Sequence, residues 1–186
     1  LVPEIVEWER RRGADTVRRH SEARAEPTPV GATGVTLSGY ADRIDLLAAG
    51  HADILDFKTG SSPSKKQAHS LLAPQLALEG ALLLRGAFTE IGPARPADLV
   101  HVRLRPDGKV VHESILKHDK SELTAEELAG RAWTQLQRLL AFHADARNGY
   151  LSRALPFREH DMDGDYDHLA RVQEWLAGHE RGEGNE

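Results

Sequence analysis

The run Asp53-Ile54-Leu55-Asp56-Phe57-Lys58 constrains this 186-residue chain more than any other stretch. Its apolar members occupy both parities, so a strand built from it is buried on both faces and lies inside a sheet. Two opposite charges are set into it. Asp56 and Lys58 are two residues apart and project from the same face. Burying them is costly unless they pair or hold an ion. A silent Asp–Lys pair would satisfy the strand as well, so these two residues alone do not decide between structure and chemistry.

The rest of the chain supplies the layers that such a strand needs. Val2, Ile5, Val6, Trp8 and Val17 predict a helix over residues 2–23, ended by Pro27, Pro29, Gly31 and Gly34. Val35–Tyr40 begins a strand that continues, or bends at Gly39, into Asp42–Leu47. Ala49–Ala52 is a short turn into the charged strand. Ser64 reads as the N-cap of one helix running to about Arg85, apolar nearly all round. Leu99–Arg105 and Val110–Leu116 form a hairpin across Pro106-Asp107-Gly108. Thr124 and Glu127 form a capping box opening a helix to about Arg147, and a short helix spans Tyr166–Ala177. The expected fold is α/β, a mixed central sheet flanked by helices. It divides into an N-terminal helix and linker (1–34), a core (35–158) and an acidic tail with a short helix (159–186).

Composition removes several kinds of chemistry. Without cysteine there is no disulfide, thiolate zinc site, iron–sulfur cluster or cysteine nucleophile. Neither a leader-like start nor an apolar run of the roughly 20 residues that cross a bilayer is present, and a soluble, cytoplasmic location is expected. The start Leu1-Val2-Pro3 reads as a cut inside a longer polypeptide. Residues 159–186 carry nine acidic side chains against Arg171 and Arg181, so the net charge of −5 conceals a slightly basic body. Arg10, Arg11, Arg12, Arg18 and Arg19 read as a solvated helix face. His160–His168 looks like a metal box, but the glycine and glutamate positions of a calcium loop are wrong. His101 and His112, within strands, read as structural. A phosphate-binding G-x-x-x-x-G-K-[ST] loop and a G-x-S-x-G elbow are both absent.

The short turn at Gly50 folds the strand of Asp42 against that of Asp56 and Lys58. Two carboxylates and one ammonium around a gap suit a hard divalent cation. Asp45 rivals Asp42, because a register shifted by one residue pairs Asp45 with Asp56 instead. In the register that favours Asp42, Asp45 pairs with Arg43. Gln75 and Glu79, four apart on the buried helix, want polar partners and point to the same strands.

Taken in order, Gly39-x-x-Asp42, Asp56-x-Lys58 and Gln75-x-x-x-Glu79 resemble the nuclease module of RecB-type PD-(D/E)XK enzymes. Gly39–Asp45, Ile54–Gly60, Pro63–Gln67, Ala73–Glu79 and Asp165–Val172 are similar to the C-terminal nuclease domain of the AddB subunits of bacterial AddAB helicase–nucleases, in their cysteine-free form. The resemblance implies a restriction-endonuclease-like fold and a deoxyribonuclease acting in double-strand break repair, on single-stranded DNA or duplex ends, beside an AddA subunit. It makes Asp42, Asp56 and the Phe57 carbonyl ligands of Mg2+, with Mn2+ as a substitute. Lys58 acts on the attacking water, Gln75 arranges the site and the DNA backbone, and Lys65 and Lys66 contact DNA. Phe57 replaces the commoner tyrosine, and Glu79 stands where many relatives carry tyrosine. The family's upstream histidine helix has no counterpart, and its accessory glutamate is Glu22 or Glu26. A catalytically silent DNA-holding domain is the alternative.

Overall fold

The computed structural model describes residues 2–60 and 62–149. Five strands form one sheet in sequential order: β1 (Thr16–Pro29), β2 (Thr36–Leu47), β3 (His51–Lys58), β4 (Arg95–Leu104) and β5 (Val110–Ser114). All neighbours run antiparallel except β3 and β4, which are parallel. The sheet is therefore mixed and flanked by helices, as expected. The charged strand β3 is its centre.

Helix α1 (Val2–Gly13) lies on one face, where Trp8 packs with Leu55, Val100 and Val102. On the other face, Ile44, Ile54 and Leu99 form the main core with α3 (Gln75–Leu84) and α4 (Ala125–Ala144). Gly80 lets α3 approach both neighbours closely. A Cβ there would stand 3.3 Å from both Ala129 of α4 and Leu99 of β4. The Thr124–Glu127 capping box opens α4, with bonds of 2.8 and 3.1 Å between side chains and backbone N–H groups. The β4–β5 hairpin turns across Pro106-Asp107-Gly108, closed by the Arg105 N–H donating to the Lys109 carbonyl and the Gly108 N–H to the Arg105 carbonyl.

Two helix expectations are corrected. The first helix does not run to residue 23: it ends at Gly13, and residues 16–29 form β1 instead. The second is interrupted. Ser64 does cap α2 (Lys65–His69), but α2 stops after five residues and α3 begins at Gln75. Leu71 has φ +62° in the break, and Pro74 keeps the residue before it out of the helical region. Leu72 is 58% exposed and shares no buried face with Gln75. His69 anchors α2 through bonds of 2.8 Å to the Ile115 carbonyl and 2.9 Å to Ser121 Oγ. That serine belongs to a two-stranded ribbon, β6 (Lys117–His118) and β7 (Ser121–Glu122), which the sequence reading did not anticipate. The short helix at 166–177, the 160–168 box and the acidic tail lie outside the described residues.

Strand β2 does not bend at Gly39. Instead it turns over further along: Leu37 and Ala41 pack into the main core, and so do Ile44 and Leu46, an odd step away. Opposite this step, Glu22 on β1 adopts φ +51°, a left-handed conformation costing roughly 1–2 kcal/mol outside glycine. Glu22→Gly is accordingly expected to raise unfolding free energy by about 1 kcal/mol. Urea denaturation measures it, and a loss of stability would show that the Glu22 side chain holds the turn-over.

Candidate active site

Asp56 and Lys58 leave β3 on the face that α3 covers. Asp56 is 1% exposed. Its Oδ1 accepts from Lys58 Nζ at 2.8 Å and from Gln75 Nε2 at 3.0 Å. Gln75, the first residue of α3, also donates to Glu79 Oε1 at 3.1 Å. The interruption before Pro74 starts α3 where its first side chain reaches Asp56.

The β2–β3 register places Arg43 opposite Leu55 and Asp45 opposite Asp53. One step beyond the last pair, Asp42 stands against Asp56. The Phe57 N–H, past the end of the ladder, donates to Asp42 Oδ2 at 2.8 Å. Asp45 lies on the other face, fully buried. Arg43 grips it at 2.6 and 2.8 Å, the expected pair, and Arg12 adds bonds of 3.1 and 3.2 Å. Arg12 also reaches Asp53 at 2.9 Å, and Arg43 bonds Glu9. Part of the N-terminal arginine cluster is thus a buried clamp fastening α1 to the sheet, not a solvated face.

Of the two accessory glutamate candidates, Glu22 falls level with Asp42 between the Ser21–Arg43 and Ala23–Ala41 pairs. Glu26 falls in the register break after Ala25 and faces Arg24 at 3.8 Å. His20, a β1 residue, stands opposite Ile44. Lys65 and Lys66 open α2, with Lys66 exposed.

The spacing of β4 does not show that His101 stands next to Asp56. The parallel β3–β4 register sets it beside Asp56, and its Nε2 lies 3.9 Å from Asp56 Oδ2. It is 3% exposed, and burial holds its pKa below the usual histidine value against the pull of Asp56. His112, in contrast, packs against Trp8 on the opposite face.

Glu79 is 7% exposed, and burial above all pushes its pKa up to about 8. The Gln75 bond pulls the other way, and the negative charges of Asp56 and Asp42 add to the effect of burial. A carboxyl whose folded pKa exceeds its unfolded value near 4.5 contributes stability only while protonated, and loses it as pH rises towards 8. With chelator present, Glu79→Gln should therefore raise Tm by about 3 °C or more at pH 9 but by less than about 1 °C at pH 5. Equal shifts at both pH values would place Glu79 in a solvated, ordinarily ionised state.

The donor set suits a hard cation. Among the described residues Asp56 Oδ2 is buried without a hydrogen-bond partner, while its Oδ1 accepts from Lys58 and Gln75. Asp42 has one oxygen engaged by Phe57 and the other available. Among the described residues, no three His, Cys, Asp or Glu side chains form a ready cage. Two carboxylates and a carbonyl fit an ion that keeps several waters, as Mg2+ does.

A family model for the PD-(D/E)XK nuclease superfamily matches residues 2–157. The chain belongs to that superfamily. Members are typically nucleases, which usually work with divalent metal ions, and the five-stranded mixed sheet is their fold. An uncharacterized protein of Rickettsia felis is 43% identical over 54 residues, 29% of this chain and 6% of its own length. One of Rickettsia typhi is 31% identical over 102 residues, 50% of this chain and 12% of the relative. The chain thus spans about a tenth or less of these curated relatives. The crystal structure of SSO0001 superposes with a TM-score of 0.36 at 17% identity, covering 75% of this PD-(D/E)XK chain and 58% of that one. No helix among the described residues is long and apolar enough to cross a membrane.

Proposed function

We propose that the chain is a metal-dependent deoxyribonuclease domain that hydrolyses phosphodiester bonds. The observation that carries this reading is the meeting of Asp42, Asp56 and Lys58 at the end of β3 in a nuclease-superfamily fold. Asp42, Asp56 and the Phe57 carbonyl would hold Mg2+, or Mn2+ in its place. A bound divalent cation supplies Lewis acidity to the phosphoryl oxygen and lowers the pKa of a coordinated water. Lys58 orients the attacking water and offsets negative charge as it develops. Gln75 locks Asp56 Oδ1, which leaves Oδ2 for the cation. Lys65 and Lys66 neutralise phosphates, and such contacts position DNA without reading its sequence.

The motif order supports a place in an AddB-type subunit, beside an AddA partner, resecting double-strand ends for recombination in the cytoplasm. The alternative is a silent DNA-holding domain. Three of the residues that such domains tend to lose are all present, which favours the enzyme. Incubation of labelled linear single strands and blunt duplexes with the chain, with Mg2+ and with chelator, separates the two. Cleavage abolished by chelator is expected. Retention of intact DNA under both conditions would establish the silent reading.

A further inference from the structure

Beyond the residues already placed at the site, Arg103 stands beside a second cation. The β3–β4 register pairs it directly with Lys58, two residues past the Asp56–His101 pair. Paired residues of neighbouring strands project from the same face, with the strands about 4.8 Å apart. Two cations are thus set side by side at the same end of the parallel strands. Like charges placed opposite each other destabilise a sheet. Lys58 has Asp56 as a counter-charge, whereas among the described residues the ion-pair partner of Arg103 is Glu113, a diagonal contact at 3.3 Å, with the Arg103 side chain 40% exposed. Its Nε is buried with no hydrogen-bond partner. A guanidinium tied to one carboxylate and partly open to solvent beside a second cation offers its exposed end to a phosphate oxygen.

We propose that Arg103 is a phosphate-binding residue that takes a DNA phosphate adjoining the one at Lys58. The proposal rests on the nuclease reading for the identity of the anion. It accounts for the repelling pair, because a polyanion across both cations turns repulsion into attraction. Glu113 keeps Arg103 extended over the sheet until DNA competes for the guanidinium.

The test is equilibrium binding of a labelled single strand between about 50 and 200 mM salt, with cleavage kinetics in Mn2+ alongside. Each phosphate contact to a single strand contributes about −0.7 to the slope of log affinity against log salt. Arg103→Gln should weaken binding and raise KM by about fivefold to tenfold and reduce that slope by about one contact, with kcat within about twofold. Arg103→Lys should recover part of the loss. The double variant Arg103→Gln with Glu113→Gln keeps the net charge of the parent. It should bind as weakly as Arg103→Gln, whereas a contribution from net charge alone predicts parental affinity. Arg95→Gln, at the far end of β4 and 71% exposed, should change nothing.

An unchanged slope in Arg103→Gln would overturn the proposal, as would a fall in kcat at constant KM. So would loss of folding in both the single and double variants, which would make the ion pair structural. A parent chain that binds DNA without cutting it would sink the nuclease reading while the Arg103 comparison still decides. A parent that does not bind DNA overturns both.

Discussion

Lys58→Ala is expected to lower DNA cleavage by about two orders of magnitude or more, the scale of a lost proton-transfer or water-orienting group. The fold should persist. Lys58 lies at the end of β3 with its side chain 26% exposed, and Asp56 keeps its bond from Gln75. Metal affinity should also persist, because an ammonium offers a cation no ligand. Single-turnover cleavage at saturating Mn2+, with a melting curve for each protein, checks the expectation. Cleavage within threefold of the parent would remove Lys58 from the mechanism.

The two aspartates of the Asp42-Arg43-Ile44-Asp45 stretch should fail in different ways. Asp42→Asn is expected to abolish most divalent-metal binding, for which the parent is expected to show a roughly millimolar Kd, equivalent to about 4 kcal/mol. Stability should be little affected, since Asp42 is exposed and an asparagine oxygen still accepts the Phe57 N–H. Asp45→Asn should leave metal binding intact and cost about 3–5 kcal/mol of stability. It removes the fully buried carboxylate shared by two arginines, Arg43 at 2.6 Å and Arg12 at 3.1 Å, leaving them Glu9 and Asp53 as counter-charges. Calorimetric metal titration and chemical denaturation of both variants give the two readouts. Metal loss in Asp45→Asn with none in Asp42→Asn would assign the wrong carboxylate to the site.

The central strand was legible because its signal is local: an apolar run interrupted at one parity by Asp56 and Lys58. Which aspartate of β2 faces Asp56 was not legible, since one step of register reverses the answer and only the paired strands fix it. Strand β1 was hidden for another reason. Arg18, Arg19, Glu22, Arg24 and Glu26 make Thr16–Pro29 read as polar, and it is an edge strand whose order comes from pairing with β2. The break before α3 left a trace in Pro74, which the leucine-rich pattern on both sides outweighed. His101 and Arg103 left none. They come beside Asp56 and Lys58 only through a parallel crossover that passes through α3, and no spacing within β4 marks them.

The central claim is that Asp56 belongs to a metal-dependent phosphodiester-cleaving centre. The most direct test is the cleavage rate of a linear single strand in excess Mn2+ at low salt, for the parent chain and Asp56→Asn with matched melting curves. The account predicts measurable cleavage by the parent and loss of about two orders of magnitude or more in the variant, the scale of a catalytic group. Equal rates in the two proteins, or a folded parent that leaves the strand intact, would contradict it.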